Sequence, residues 1–174
     1  MRQTHPFARP CCQGVRPPRV GLRLIVGVMV LLASACLTPP ALLPAKTLEL
    51  ETALALYPPD SERVELHATS GATLRGVYVP AGPDAPLVLH LLDSSGSWAA
   101  VGADYAEVAT RLADMGFASL LCDYEGVGAS SGTRSVRNLL PDAECLWAEA
   151  LRRVDGDPRR VLIRAVSIGT LPAV

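Results

Sequence analysis

From residue 63 onward, short apolar runs alternate with stretches whose apolar residues recur every three or four positions. RVELHAT (63–69) and TLRGVYV (73–79) flank Ser70-Gly71-Ala72 and predict a β-hairpin. PLVLHLL (86–92) is a continuous apolar run bounded by turn residues, the pattern of a strand buried on both faces. Tyr105, Val108, Ala109, Leu112 and Met115 keep helical spacing, and Gly116 closes that helix. FASLLCDY (117–124) predicts a second buried strand. Ala143, Leu146, Trp147, Ala150, Leu151 and Val154 form another helical stripe, with Pro141 in the first turn, where a missing N–H is tolerated. Gly156, Asp157 and Pro158 break the chain, and RVLIRAV (160–166) predicts a third buried strand. A hairpin followed by strand–helix–strand–helix–strand predicts an α/β fold, with a parallel sheet and right-handed crossovers.

The first 48 residues follow a different pattern. They carry arginines and Lys46 but no acid; the first acid is Glu49. A basic start leads into LIVGVMVLLASA (24–35), which ends on Ala33-Ser34-Ala35 and is followed by Cys36. A basic segment, an apolar run and a small-x-small end predict an export signal over residues 1–35. The apolar run stops at Thr38-Pro39-Pro40, short of the roughly 20 residues that span a bilayer. The junction also resembles a bacterial lipoprotein cleavage site, with Cys36 as the lipidated first residue and Ala33 as a departure from the usual leucine. Residues 36–60, rich in proline, are expected to be a tether, and residues 61–174 the folded domain. Cys122 and Cys145 could pair in an oxidising compartment, but both lie in apolar runs and are expected to be buried free thiols.

The chain has 174 residues, enough for one domain, and a formal net charge of −1. Nothing in this balance points to nucleic acid. Lys46 is the one lysine among 16 basic residues, and the arginines do not gather on one periodic face. The glycine-rich turn DYEGVGASSGT (123–133) follows a strand, so a nucleotide loop must be weighed. The dinucleotide pattern would need glycine at Ser131, and the phosphate-loop pattern needs a Gly-Lys pair that is absent. No metal or cofactor is implied.

Near the end, A-V-S-I-G (165–169) is one residue short of G-x-S-x-G, the mark of a nucleophile on a sharp strand-to-helix turn. Such a turn needs small residues two positions either side of the serine, and Ala165 and Gly169 meet this. The turn would expose Ser167 Oγ at the carboxyl end of its strand, where ligands bind in open α/β sheets. The Ile168 N–H, at a helix start, could then stabilise a developing oxyanion. The plainer alternative is a serine that caps the next helix. Asp123 and Glu125 could be mistaken for an acid–base pair. His67 and His90 lie mid-strand, and His90 is expected to be a packed core residue.

DYEGVGASSG, the spaced Ser135, Asn138, Leu139 and Asp142, and SIGTLPAV together resemble the α/β-hydrolase superfamily, in the branch of acyl-protein thioesterases and related esterases. The resemblance covers residues from about 62 to the end. It implies the N-terminal part of an α/β-hydrolase sheet, with Asp123 shaping the turn after its strand. It implies acyl ester or thioester substrates, small molecules or lipids, without cofactor. It makes Ser167 the nucleophile and Ile168 one oxyanion donor. The second donor should follow PLVLHLL, where relatives usually have His-Gly and this chain has Leu92-Asp93. The Ser94 N–H is the expected donor and the Asp93 N–H the alternative. A carboxylate at Asp93 is at odds with a growing negative charge, so it either points away or marks an altered site. In this fold Asp or Glu and then His follow the serine, and neither follows Ser167. The sequence alone therefore predicts a hydrolase half cut after the elbow and inactive as it stands. The other readings are a non-catalytic module on the same half-fold, and a half-enzyme completed by another chain.

Overall fold

The computed structural model describes residues 49–93, 97–99 and 104–173. The predicted signal over 1–35 and the lipidation residue Cys36 lie outside the described residues, as does Ser94.

In chain order the elements are a short helix α1 (Leu50–Leu54), β1 (Glu62–His67), β2 (Thr73–Val79), β3 (Leu87–Leu91), α2 (Tyr105–Asp114), β4 (Ala118–Cys122), α3 (Leu139–Arg153) and β5 (Val161–Ala165). One five-stranded sheet runs β1-β2-β4-β3-β5. β1 and β2 form the predicted hairpin, with His67 opposite Thr73 and Glu62 opposite Tyr78. β2 joins β4 antiparallel, while β4–β3 and β3–β5 are parallel. This is the predicted mixed α/β architecture.

β3 and β4 are buried at every position, as continuous apolar runs require. Leu87, Leu89, Leu120, Leu121 and, from α3, Leu146 form the centre of the core. Full burial of one such leucine is worth about 1.5–3 kcal/mol. Helix α2 ends as its sequence predicts: Gly116 N donates to Ala113 O and Phe117 N to Leu112 O, each at 2.9 Å. These paired bonds close the last turn around a residue with φ 84°.

Three expectations are corrected. β5 is not a buried strand. It is the sheet margin among the described residues, and Leu162 and Ile163 are 49% and 46% exposed. Its apolar run is that of a two-faced interior strand, yet among the described residues only β3 lies beside it. Met115 was expected in the buried stripe of α2 but caps that helix, exposed. Residues 49–60 do not behave as a tether: α1 packs Ala53 into the core, and Tyr57 is buried with its hydroxyl donating to Trp98 O at 2.9 Å. Cys122 and Cys145 are both free, Cys122 buried and Cys145 half-buried. No described helix is long and apolar enough to cross a membrane.

Candidate active site

β5 ends at Ala165, and Val166 N still donates to Leu91 O at 3.1 Å, tying the chain to β3. Ser167 follows with φ 51°, in the left-handed region that a residue with a Cβ rarely enters. Its side chain is exposed. The turn is closed by Gly169 N donating to Val166 O at 2.9 Å and by Thr170 Oγ1 donating to Ser167 O at 2.6 Å. Gly169 is the position where the turn meets β3: a Cβ there would lie 2.3 Å from Leu91 O. The segment Ser167–Ala173 is a 3₁₀ helix with Pro172 inside it. Ile168 stands one residue past the serine and packs partly against the core.

The backbone at Ser167 differs from that of a helix-capping serine. An N-cap serine adopts extended backbone, which costs nothing. A left-handed serine is held there by its surroundings, at about 1–3 kcal/mol, and such residues gather at functional turns.

Asp93 follows β3, the strand beside β5. Its carboxylate accepts a hydrogen bond from Tyr105 Oη at 2.9 Å. Burial, and then this bond to Asp93, push the Tyr105 hydroxyl up to about 12, so it remains a donor throughout the physiological range. The carboxylate of doubtful orientation in the sequence is thus engaged by the first residue of α2.

Neither described histidine serves Ser167 as a base. His67 is exposed on β1, at the opposite margin of the sheet from β5. Four strand spacings of about 4.8 Å put these two strands roughly 19 Å apart. His90 is fully buried in β3, its Nε2 3.3 Å from Ser119 Oγ. Burial, reinforced by Arg164, holds its pKa down to about 3, so the ring is a neutral core group. That is the packed role expected of it.

The glycine-rich turn is built by carboxylates rather than around a phosphate. Asp123 is fully buried at the end of β4. It accepts from Ser97 Oγ at 2.7 Å, Ala129 N at 2.8 Å and Trp98 N at 3.1 Å. Glu125 accepts from Ser70 Oγ at 2.6 Å and Thr133 N at 3.1 Å, bonds that hold its pKa below the usual carboxylate range. Of the spaced motif residues, Asn138 and Asp142 brace this turn, while Ser135 caps the short helix that follows it. Ser135 Oγ accepts from Arg137 N at 3.2 Å, and Asn138 Nδ2 donates to Thr133 O at 3.1 Å. Leu139 is buried, and Asp142 Oδ2 accepts from Glu125 N at 2.8 Å. Asp123 and Glu125 therefore shape backbone and are not paired for acid–base exchange. The sequence reading missed Ser97 and Trp98 as partners of Asp123. These partners lie 26 and 25 residues from Asp123 along the chain, and no local pattern links them.

Similar proteins bear on the fold. The chain is 30% identical over 119 residues to the uncharacterized protein YfhR of Escherichia coli K12, a match covering 66% of this chain and 42% of that protein. It is 44% identical over 52 residues to human alpha/beta hydrolase domain-containing protein 17B, covering 30% of this chain and 18% of that protein. The structure superimposes on the Pyrococcus furiosus esterase Pf2001 with a TM-score of 0.56 and 20% identity, over 76% of this chain and 49% of that one. Over part of its length, the chain is related to the α/β-hydrolase superfamily. No family model matches it. The chain spans less than half the length of these similar proteins.

Proposed function

We propose that this chain carries the nucleophile-bearing part of a serine hydrolase of esterase or thioesterase type, acting on acyl esters. The observation that carries the reading is Ser167, strained at φ 51° and exposed just beyond the carboxyl end of β5. An acyl group placed there would meet the serine oxygen first. The Ile168 N–H is the proposed first oxyanion donor, and the loop after β3 supplies the second. The esterase neighbour supports an ester substrate of small-molecule type; a lipid substrate is the finer version of the same proposal.

A serine hydroxyl needs a base to take its proton, and such assistance typically contributes about 10²–10⁴ in rate. No described histidine is placed to give it. The chain by itself is therefore expected to hydrolyse p-nitrophenyl esters no faster than background. An alkyl fluorophosphonate should still mark Ser167 slowly, as peptide mass spectrometry of the purified chain would detect, and Ser167→Ala should remove the label. Labelling that survives this substitution would overturn the elbow assignment. Rapid turnover abolished by Ser167→Ala would instead mean that a base lies within the chain. The alternative, a non-catalytic module, draws on Asp93 and Ala165, where the resemblance implies other residues, and predicts no label at all.

We further propose export and lipid attachment at Cys36, on the LASAC junction in the sequence. Mass spectrometry of the membrane fraction should find acylated Cys36 as the mature N-terminus. An unprocessed Met1 would remove the proposal.

A further inference from the structure

Asp123 joins two chain segments that the sheet does not join. Ser97 and Trp98 belong to the stretch after β3, and Ala129 to the turn after β4. Oδ2 receives Ser97 Oγ and Ala129 N, and Oδ1 receives Trp98 N. Ser97 Oγ also accepts from Ala99 N at 3.1 Å, and Trp98 O accepts from Tyr57 Oη at 2.9 Å. The cluster is closed in: a Cβ on Gly128 would lie 2.2 Å from Asp123 Oδ2 and 2.4 Å from Ser97 Oγ. Asp123 and Ser97 are both fully buried.

We infer that Asp123 and Ser97 form a proton-linked clamp, which fixes the segment after β3 against the turn after β4 and loosens when its shared proton leaves. Its functional consequence rests on the hydrolase reading, because the clamped segment continues the loop that must supply the second oxyanion donor. Asp123 is in this sense a positioning residue and touches no reacting atom.

The Ser97 hydroxyl makes the clamp work in both protonation states. With Asp123 ionised, Ser97 O–H donates to Oδ2. With Asp123 protonated on Oδ2, the acid O–H donates to Ser97 Oγ across the same contact, and the Ser97 proton turns out of that contact and gives up Oδ2 as its acceptor. Trp98 N and Ala129 N keep their acceptors either way. The states differ in the charge that must be buried. Burial pushes the Asp123 carboxyl up to about 7, outweighing the three donors that pull it down. The titratable groups facing it are the Tyr57 hydroxyl and the Cys122 thiol, both pushed up by their own burial and by Asp123. Among the described residues Asp123 has no salt bridge.

The sign follows from linkage. When the segment swings away, Asp123 regains water and an acid range near 4. Between pH 4 and 7 the clamped form holds a proton that the released form does not, so rising pH favours release. From pH 6 to 8 the clamped-to-released ratio should fall about tenfold.

Amide exchange on the full chain, corrected for the intrinsic rate of each amide, tests this at pH 6, 7 and 8. Protection of Trp98, whose N–H crosses the clamp, should fall by about tenfold across that range. Equal protection at pH 6 and pH 8 would overturn the clamp. Asp123→Asn should abolish the pH dependence. In either orientation its amide sets an N–H against the N–H of Ala129 or Trp98, so the variant could fail to fold. The ¹³C shift of the wild-type Asp123 carboxyl is then decisive: a midpoint near 7 supports the clamp, and one below 5 refutes it. None of these readouts uses Ser167. An unlabelled Ser167 with pH-dependent protection would leave the clamp standing without the hydrolase reading. A labelled Ser167 with flat protection would do the reverse.

Discussion

Gly76→Ala should unfold this protein under conditions where the wild type is native. Gly76 sits within β2, opposite Val64 of β1 and Cys122 of β4. An added Cβ would lie 2.1 Å from Leu121 O and 2.2 Å from Cys122 Sγ. The nearer atom is backbone, locked in the centre of the sheet, and cannot turn away as a side chain would. Relief requires parting β2 from β4, the pairing that joins the hairpin to the parallel strands. Overpacking a core typically costs about 1–3 kcal/mol, and each buried ladder bond lost adds about 1–3 kcal/mol for the group left unpaired. Against a total stability of about 5–15 kcal/mol, this removes most or all of the margin. Urea unfolding followed by far-UV circular dichroism is the measurement. An unshifted midpoint would mean that β2 and β4 do not pair in this register.

The strands were legible because their residues leave few alternatives. A run such as Leu87–Leu91 has no polar face to show water, so it must be interior, and the turn residues around it fix its length. Ser70-Gly71-Ala72 set the hairpin register in the same way. The tight turn over 165–169 was legible through small residues: Gly169 is demanded by its approach to Leu91 O, which leaves no room for a side chain. The φ of 51° at Ser167 was implied by the motif but could be seen only in three dimensions.

What failed to show in the sequence depends on neighbours far along the chain. Tyr57 lies in a proline-rich stretch that reads as linker, yet its hydroxyl finds Trp98 O, 41 residues away. Asp123 reads as a turn former, and it is one. Its link to Ser97 and Trp98 joins two loops across the end of the sheet, and no local pattern records such a contact. The exposure of β5 was hidden for a similar reason. Apolar residues on both faces describe what a strand could bury, and the neighbouring elements decide what it does bury.

Ile163 and Leu89 make that last point measurable, because they are register partners on adjacent strands. Leu89 is 1% exposed and Ile163 46% exposed, and both line a cavity of about 140 Å³ with Trp147 and Pro172. Lysine at Leu89 would place an unpaired ammonium in the core. Leaving a buried charge unpaired costs about 3–5 kcal/mol, and Leu89→Lys should therefore not accumulate as folded protein. Lysine at Ile163 can run its stem along the cavity wall and carry its charge into water. Ile163→Lys should stay within about 1 kcal/mol of wild type, as exposed substitutions usually do. It should also raise solubility, because a lysine on an open margin discourages pairing with another chain. Urea midpoints together with size-exclusion chromatography separate the two variants. Comparable destabilisation by both would place β5 in the interior of the sheet and withdraw its assignment as a margin. A soluble, folded Leu89→Lys would do more damage, since it would mean that β3 is not a buried interior strand from which the Ser167 turn takes its position.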